Sequence, residues 1–113
     1  MFNYTTKEPA KVDFIQISSL AELLSGERIF VEVDDKKIVI FNIGGNIYAI
    51  GDVCSHDDGP LGDGEVDGLN VICPRHGARF DIRTGQALLL PAVEDIPAYP
   101  TRIVDGMIEI GIF

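Results

Sequence analysis

Four side chains in this chain of 113 residues are donors for a soft metal, and they fall into two short clusters. One is Cys54-Ser55-His56; the other, after sixteen intervening residues, is Cys73-Pro74-Arg75-His76. The chain has only two cysteines and two histidines, and these clusters use all four. Thiolate and imidazole are what soft and borderline metals prefer. Two loops that each donate one Cys and one His can clamp a two-iron cluster from both ends. That ligand set suits an iron–sulfur centre in which two imidazoles replace two thiolates on one iron. Zinc also accepts two Cys and two His, but its usual spacing pairs like with like, whereas each loop here mixes them. Unrelated, non-metal Cys and His are the remaining alternative. A structural disulfide is disfavoured, because the neighbouring histidines point to metal.

The elements that must position these loops read as short strands. Val12–Ile17 alternates apolar and polar residues with one slip at Phe14-Ile15. Ile29–Val33 and Lys37–Asn42 flank Asp34-Asp35-Lys36, which reads as a hairpin. Gly44-Gly45-Asn46 is a turn leading into Ile47–Ile50, and Asp67-Gly68 turns into Leu69–Ile72, a short apolar strand that delivers Cys73. Thr101–Val104 and Met107–Ile112 surround Asp105-Gly106, a favoured two-residue hairpin turn. Ser19–Leu24 is the one helical stretch, with Ser18 or Ser19 as its cap and Gly26 as its end. The pattern predicts an all-β antiparallel sandwich or barrel. Between the strands, Gly51–Gly68 holds five glycines, one proline and six acidic residues. Such a stretch cannot build a core of its own, and a bound cluster would order it. The expected organisation is one domain, 1–113, with a small cluster-binding insertion at about 47–83.

The chain resembles Rieske-type ferredoxins, the electron carriers of bacterial ring-hydroxylating oxygenase systems. The resemblance rests on Cys54-Ser55-His56-Asp57-Asp58-Gly59-Pro60-Leu61 and on Cys73-Pro74-Arg75-His76-Gly77-Ala78-Arg79-Phe80-Asp81. Thr84-Gly85 and Pro91-Ala92-Val93-Glu94-Asp95-Ile96-Pro97 extend it. It implies the Rieske fold, a β base carrying an inserted cluster-binding subdomain, and one [2Fe–2S] cluster. Cys54 and Cys73 would bind the inner ferric iron; His56 and His76 would bind the outer iron that changes oxidation state. Gly59, Gly62, Gly64 and Gly77 would shape tight loops whose backbone N–H groups point at sulfur, and Gly68 would be ordinary turn punctuation. Pro60 and Pro91 would stiffen loops covering the cluster. High-potential members of the wider group tie the two loops with a disulfide; the matching positions here are Gly59 and Arg75. They also place a Ser and a Tyr where this chain has Ala78 and Phe80. Losing two hydroxyl donors predicts a potential near the low end of the Rieske range, roughly −150 mV.

The implied function is one-electron transfer from a flavin-dependent ferredoxin reductase to a terminal Rieske non-haem iron oxygenase. The alternative is the small subunit of an assimilatory NAD(P)H nitrite reductase, which shares the fold. An oxygenase catalytic subunit needs a further two-His, one-carboxylate iron site, and no histidine remains to build it. The net charge of −9 argues against nucleic acid and allows steering toward a basic partner face. Asp57, Asp58, Pro60, Arg75 and Pro91 are candidates for the docking face. No apolar run approaches the roughly 20 residues that span a bilayer, and Met1–Glu8 has no signal-peptide character. A soluble, cytoplasmic monomer is expected.

Overall fold

The computed structural model describes residues 12–55, 57–92 and 94–113. His56, Val93 and the N-terminal segment read above for a signal lie outside the described residues.

The architecture follows from one strand, Lys36–Ile43 (β3), whose run Ile38-Val39-Ile40-Phe41 is buried throughout. Successive strand residues point to opposite faces, so a strand apolar at every position must be covered on both. Ile38 and Ile40 pack with Ala49, Tyr99, Ile108, Ile110 and Ile112. Val39 and Phe41 pack the other way, with Ile50, Val71 and Phe80, in the cluster that also contains both cysteines.

Three antiparallel sheets result. β3 sits inside a four-stranded sheet with Arg28–Val33 (β2), Asn46–Gly51 (β4) and Ala98–Tyr99 (β9), in the order β2-β3-β4-β9. Asp13–Ser19 (β1), Thr101–Val104 (β10) and Met107–Ile112 (β11) form a second sheet, ordered β1-β11-β10. Glu65–Asp67 (β5), Asn70–Ile72 (β6), Arg79–Asp81 (β7) and Ala87–Leu89 (β8) form the third, a meander. One core therefore lies between the first two sheets, and the other lies under the third. Burying each Ile or Val side chain contributes about 1.5–3 kcal/mol.

The turns match their residues. Asp34 and Asp35 take positive φ, at 50° and 64°, in a two-residue loop that pairs Val33 with Lys36. Asp105 and Gly106 do the same between β10 and β11. One sequence expectation is corrected. The helix is a single 3-10 turn, Leu20–Glu22, capped by the Ser19 hydroxyl and ended at Leu23, not at Gly26. Leu23 is drawn into the core, and the buried Asn42 amide donates to its carbonyl, which stops propagation. A bulge between Gln16 and Ser18 shifts the register of β1 against β11. No helix among the described residues is long and apolar enough to cross a membrane.

Candidate metal centre

The two cysteine clusters fold into two copies of one loop design. In the first, the Cys54 N–H donates to the Gly59 carbonyl (2.8 Å) and the Asp58 N–H donates to the Cys54 carbonyl (2.7 Å). In the second, the Cys73 N–H donates to the Ala78 carbonyl (2.7 Å) and the Gly77 N–H donates to the Cys73 carbonyl (3.0 Å). Each loop needs one residue of left-handed backbone four positions after its cysteine: Asp58 at φ 60° and Gly77 at φ 75°. Asp tolerates that conformation better than most residues, and Gly does so without cost. The first loop follows β4; the second connects β6 to β7.

This geometry brings the cysteines together at the base of the loops. Cys54 and Cys73 are 0% and 1% exposed and neither forms a disulfide. Their sulfurs lie within 4.8 Å of one another and of a carboxylate oxygen of Asp57. The His76 side chain stands at the rim, 56% exposed, with Nδ1 3.7 Å from Asp57 Oδ2. Two adjacent buried thiols below an exposed imidazole fit a sulfur-plus-nitrogen ligand set in which one metal is inner and one outer. His56 falls outside the described residues. The matched positions Ala78 and Phe80 are fully buried beside the cysteines and carry no hydroxyl. The Ser55 hydroxyl donates to the Glu94 carbonyl.

The N–H groups of four loop glycines donate to oxygen: Gly59 to Asp57 Oδ1, Gly62 to Asp52 Oδ1, Gly64 to the Leu61 carbonyl and Gly77 to the Cys73 carbonyl. What Gly59, Gly62 and Gly64 supply is room. A Cβ on Gly64 would lie 1.9 Å from the Ile72 carbonyl oxygen, and one on Gly62 would lie 2.8 Å from Phe30 and Val39. Gly68, at φ 62° with open space around it, is turn punctuation as expected.

The sequence reading missed two residues that order the Gly-rich loop. One Asp52 oxygen accepts from the Leu61 and Gly62 N–H groups (2.9 and 2.6 Å). The Arg28 guanidinium, lying over the Phe41 ring at 5.2 Å, donates to the Gly62 and Gly64 carbonyls (2.5 and 2.7 Å). An acid thus holds the loop's donors and a base holds its acceptors. Arg28 is 34 residues from Gly62 in the chain, so no local pattern could have revealed the contact. Behind the second loop, the buried Asp81 carboxylate accepts from the Arg83 backbone N–H and its guanidinium. Burial pushes the Asp81 carboxyl up, but the Arg83 bonds and charge outweigh it and hold the group below its ordinary value of 3.8. Gly85, at φ 78°, passes so close to the Ile96 carbonyl that a Cβ would lie 2.0 Å from its oxygen.

The model of the Rieske [2Fe-2S] domain family matches residues 13–100. The ferredoxin component of the naphthalene 1,2-dioxygenase system of Pseudomonas putida is 35% identical over 92 residues, covering 81% of this chain and 88% of that protein. The anthranilate 1,2-dioxygenase ferredoxin subunit of Burkholderia cepacia is 33% identical and covers 93% of this chain and 97% of its own length. Among solved structures, the ferredoxin of carbazole 1,9a-dioxygenase from Nocardioides aromaticivorans IC177 superposes with a TM-score of 0.81 at 30% identity, over 86% of this chain and 95% of that one. The family match, the relatives and the paired cysteine loops agree: this chain belongs to the Rieske [2Fe–2S] domain family.

Proposed function

We propose that this protein is a one-electron carrier and not itself a catalyst, with Cys54, His56, Cys73 and His76 as the ligands of its single cluster. The observation that carries the reading is the pair of matched loops that bring two buried cysteines together beneath an exposed histidine. Once bound, a cluster of this type accepts and returns one electron. The chain's own residues would exclude water from the inner side, through Leu61, Ala78 and Phe80. His76, and His56 by its place in the motif, would give the electron an exit at the surface.

The donor in this reading is a flavin-dependent reductase, and the acceptor is a terminal Rieske non-haem iron oxygenase of the ring-hydroxylating type. The relatives' roles as ferredoxin components of dioxygenase systems support this over a nitrite reductase small subunit. A soluble, cytoplasmic monomer carrying its site on an insertion at about 47–83 belongs to the same proposal. Both cysteine loops lie within that interval, which supports it. The buried Ala78 and Phe80, with no hydroxyl to donate, support a potential near the low end of the range, roughly −150 mV.

Visible absorption and EPR of anaerobically purified protein, before and after dithionite, test the ligand set. A reducible two-iron cluster with two-histidine character is expected. Colourless protein with stoichiometric zinc would refute it, and a signal typical of four cysteines would refute the histidine ligands. A voltammetric midpoint well above zero would contradict the low-potential argument, and co-purification with a sirohaem protein would replace the oxygenase by nitrite reductase. For docking, Asp58→Asn should weaken the salt dependence of reduction by the reductase; an unchanged dependence removes Asp58 from that face.

A further inference from the structure

Arg75, on the second cysteine loop, uses every guanidinium nitrogen. Nε donates to Asp57 Oδ2 at 2.6 Å, one terminal nitrogen donates to Asp57 Oδ1 at 2.9 Å, and the other donates to the Pro60 carbonyl at 2.8 Å. Asp57 is itself pre-set by the Gly59 N–H, which donates to Oδ1 at 3.0 Å. Gly59 gives the guanidinium its space, since a Cβ there would lie 2.7 Å from Cζ. The backbone of each cysteine loop closes on itself, and Arg75 adds three bonds from the second loop to the first.

We propose that Arg75 is a positioning residue, a polar latch in which the Asp57 fork, the Pro60 carbonyl and the gap at Gly59 hold the two ligand loops at the separation the cluster needs. The inference rests on the reading that both loops ligate one cluster. An exposed ion pair by itself contributes little. This one is bidentate, has a third bond to a fixed carbonyl, and is only partly exposed, at 32% for Arg75 and 23% for Asp57. Planar fork geometry adds specificity that a point charge lacks. The latch also carries charge to the site, because Asp57 reaches within 4.8 Å of both cysteine sulfurs. A reduced cluster holds one more negative charge than an oxidised one. Removing the Arg75 cation should therefore disfavour reduction, and removing the Asp57 anion should favour it.

The test compares wild type with Arg75→Gln, Arg75→Lys, Asp57→Asn, Gly59→Ala and the Gly59→Ala/Arg75→Gln double variant, all purified anaerobically with their clusters. Loss of the visible band in excess iron chelator should be about five- to tenfold faster in Arg75→Gln, Asp57→Asn and Gly59→Ala, the size of a well-formed but solvent-screened charged fork. Arg75→Lys should recover only part of the retention. The double variant should lose iron no faster than the faster single variant, because Gly59→Ala acts by displacing a side chain that Arg75→Gln has already removed. The midpoint potential should fall in Arg75→Gln and rise in Asp57→Asn, a divergence that a purely structural contact would not produce. Wild-type rates in Arg75→Gln and Gly59→Ala, multiplicative effects in the double variant, or unmoved potentials would each overturn the latch. So would outright unfolding of Arg75→Gln, since a latch at the surface tip should leave the circular dichroism melt near that of wild type. The wild-type EPR signal separates the two levels: an absent cluster defeats the ligand reading, whereas a normal cluster indifferent to these variants defeats only the latch.

Discussion

Asp52→Ala should open the loop that closes over Cys54. A single Asp52 oxygen accepts from the Leu61 and Gly62 N–H groups at 2.9 and 2.6 Å, and both residues are buried. Truncation leaves two buried donors without that acceptor. Hydrogen bonds to a charged group are worth about 1.5–3 kcal/mol each, and the partial exposure of Asp52 discounts them. We expect about 2–4 kcal/mol in total. At 1.36 kcal/mol per decade, the local opening equilibrium should rise roughly 30- to 1,000-fold. Asp52→Asn keeps an acceptor oxygen and loses only the charge assistance, so about 1 kcal/mol, or roughly fivefold, is expected. Amide hydrogen exchange followed by mass spectrometry on peptides covering 57–64 reads this directly, with a peptide from β3 as the unperturbed control. Exchange in the Asn variant should fall between wild type and Ala. If Asp52→Ala exchanges within threefold of wild type, a ligand or another group orders the loop and the Asp52 account is wrong. If the β3 peptide accelerates equally, the loss is global rather than local and the localisation is wrong.

Gly64→Ala places a Cβ 1.9 Å from the Ile72 carbonyl, immediately before Cys73; relief requires backbone movement, at a cost of about 3 kcal/mol or more. Reduced cluster content after purification and a lower melting temperature are expected, and full occupancy would refute the close-approach argument. Ile40→Ala, in the core away from the cysteines, should cost about 2–5 kcal/mol in thermal unfolding while leaving the EPR line positions unchanged; a shifted spectrum would mean that the two cores are coupled. Asp81 has a folded carboxyl pKa below its ordinary value of 3.8, so its pairing with Arg83 stabilises the fold above about that pH. The contribution disappears as pH falls through the lower folded value. Asp81→Asn should therefore be less stable than wild type at neutral pH, with the difference narrowing in acid; a difference constant with pH in urea titrations would exclude the linkage.

Much of the site was legible because its signal is local. Two cysteines and two histidines at fixed spacing mark the loops, and Asp105-Gly106 marks its hairpin without reference to anything distant. The elements missed are those whose register depends on partners. β5, β7, β8 and β9 are two or three residues long, too short for alternation to register, and exist because neighbouring strands pair with them. The helix over-reading has the same cause. Ser19 does cap a turn, but Leu23 gains more by entering the core than the turn gains by continuing.

The glycines show the limit most directly. A glycine in a sequence announces freedom, but not whether the fold uses positive φ, a missing side chain, or an accessible N–H. Gly77 uses the first, while Gly59, Gly62 and Gly64 use the second. The N–H groups of these four donate to oxygen atoms, including two from Asp52 and Asp57. Two of the acidic residues are therefore scaffolding for the ligand loop. Asp52 orders one side of the first ligand loop and Asp57 meets Arg75 on the other. A Gly-rich loop with no core of its own is thus tied through charged side chains, by Asp52 and Arg28 to the neighbouring strands and by the Asp57–Arg75 pair to the second cysteine loop.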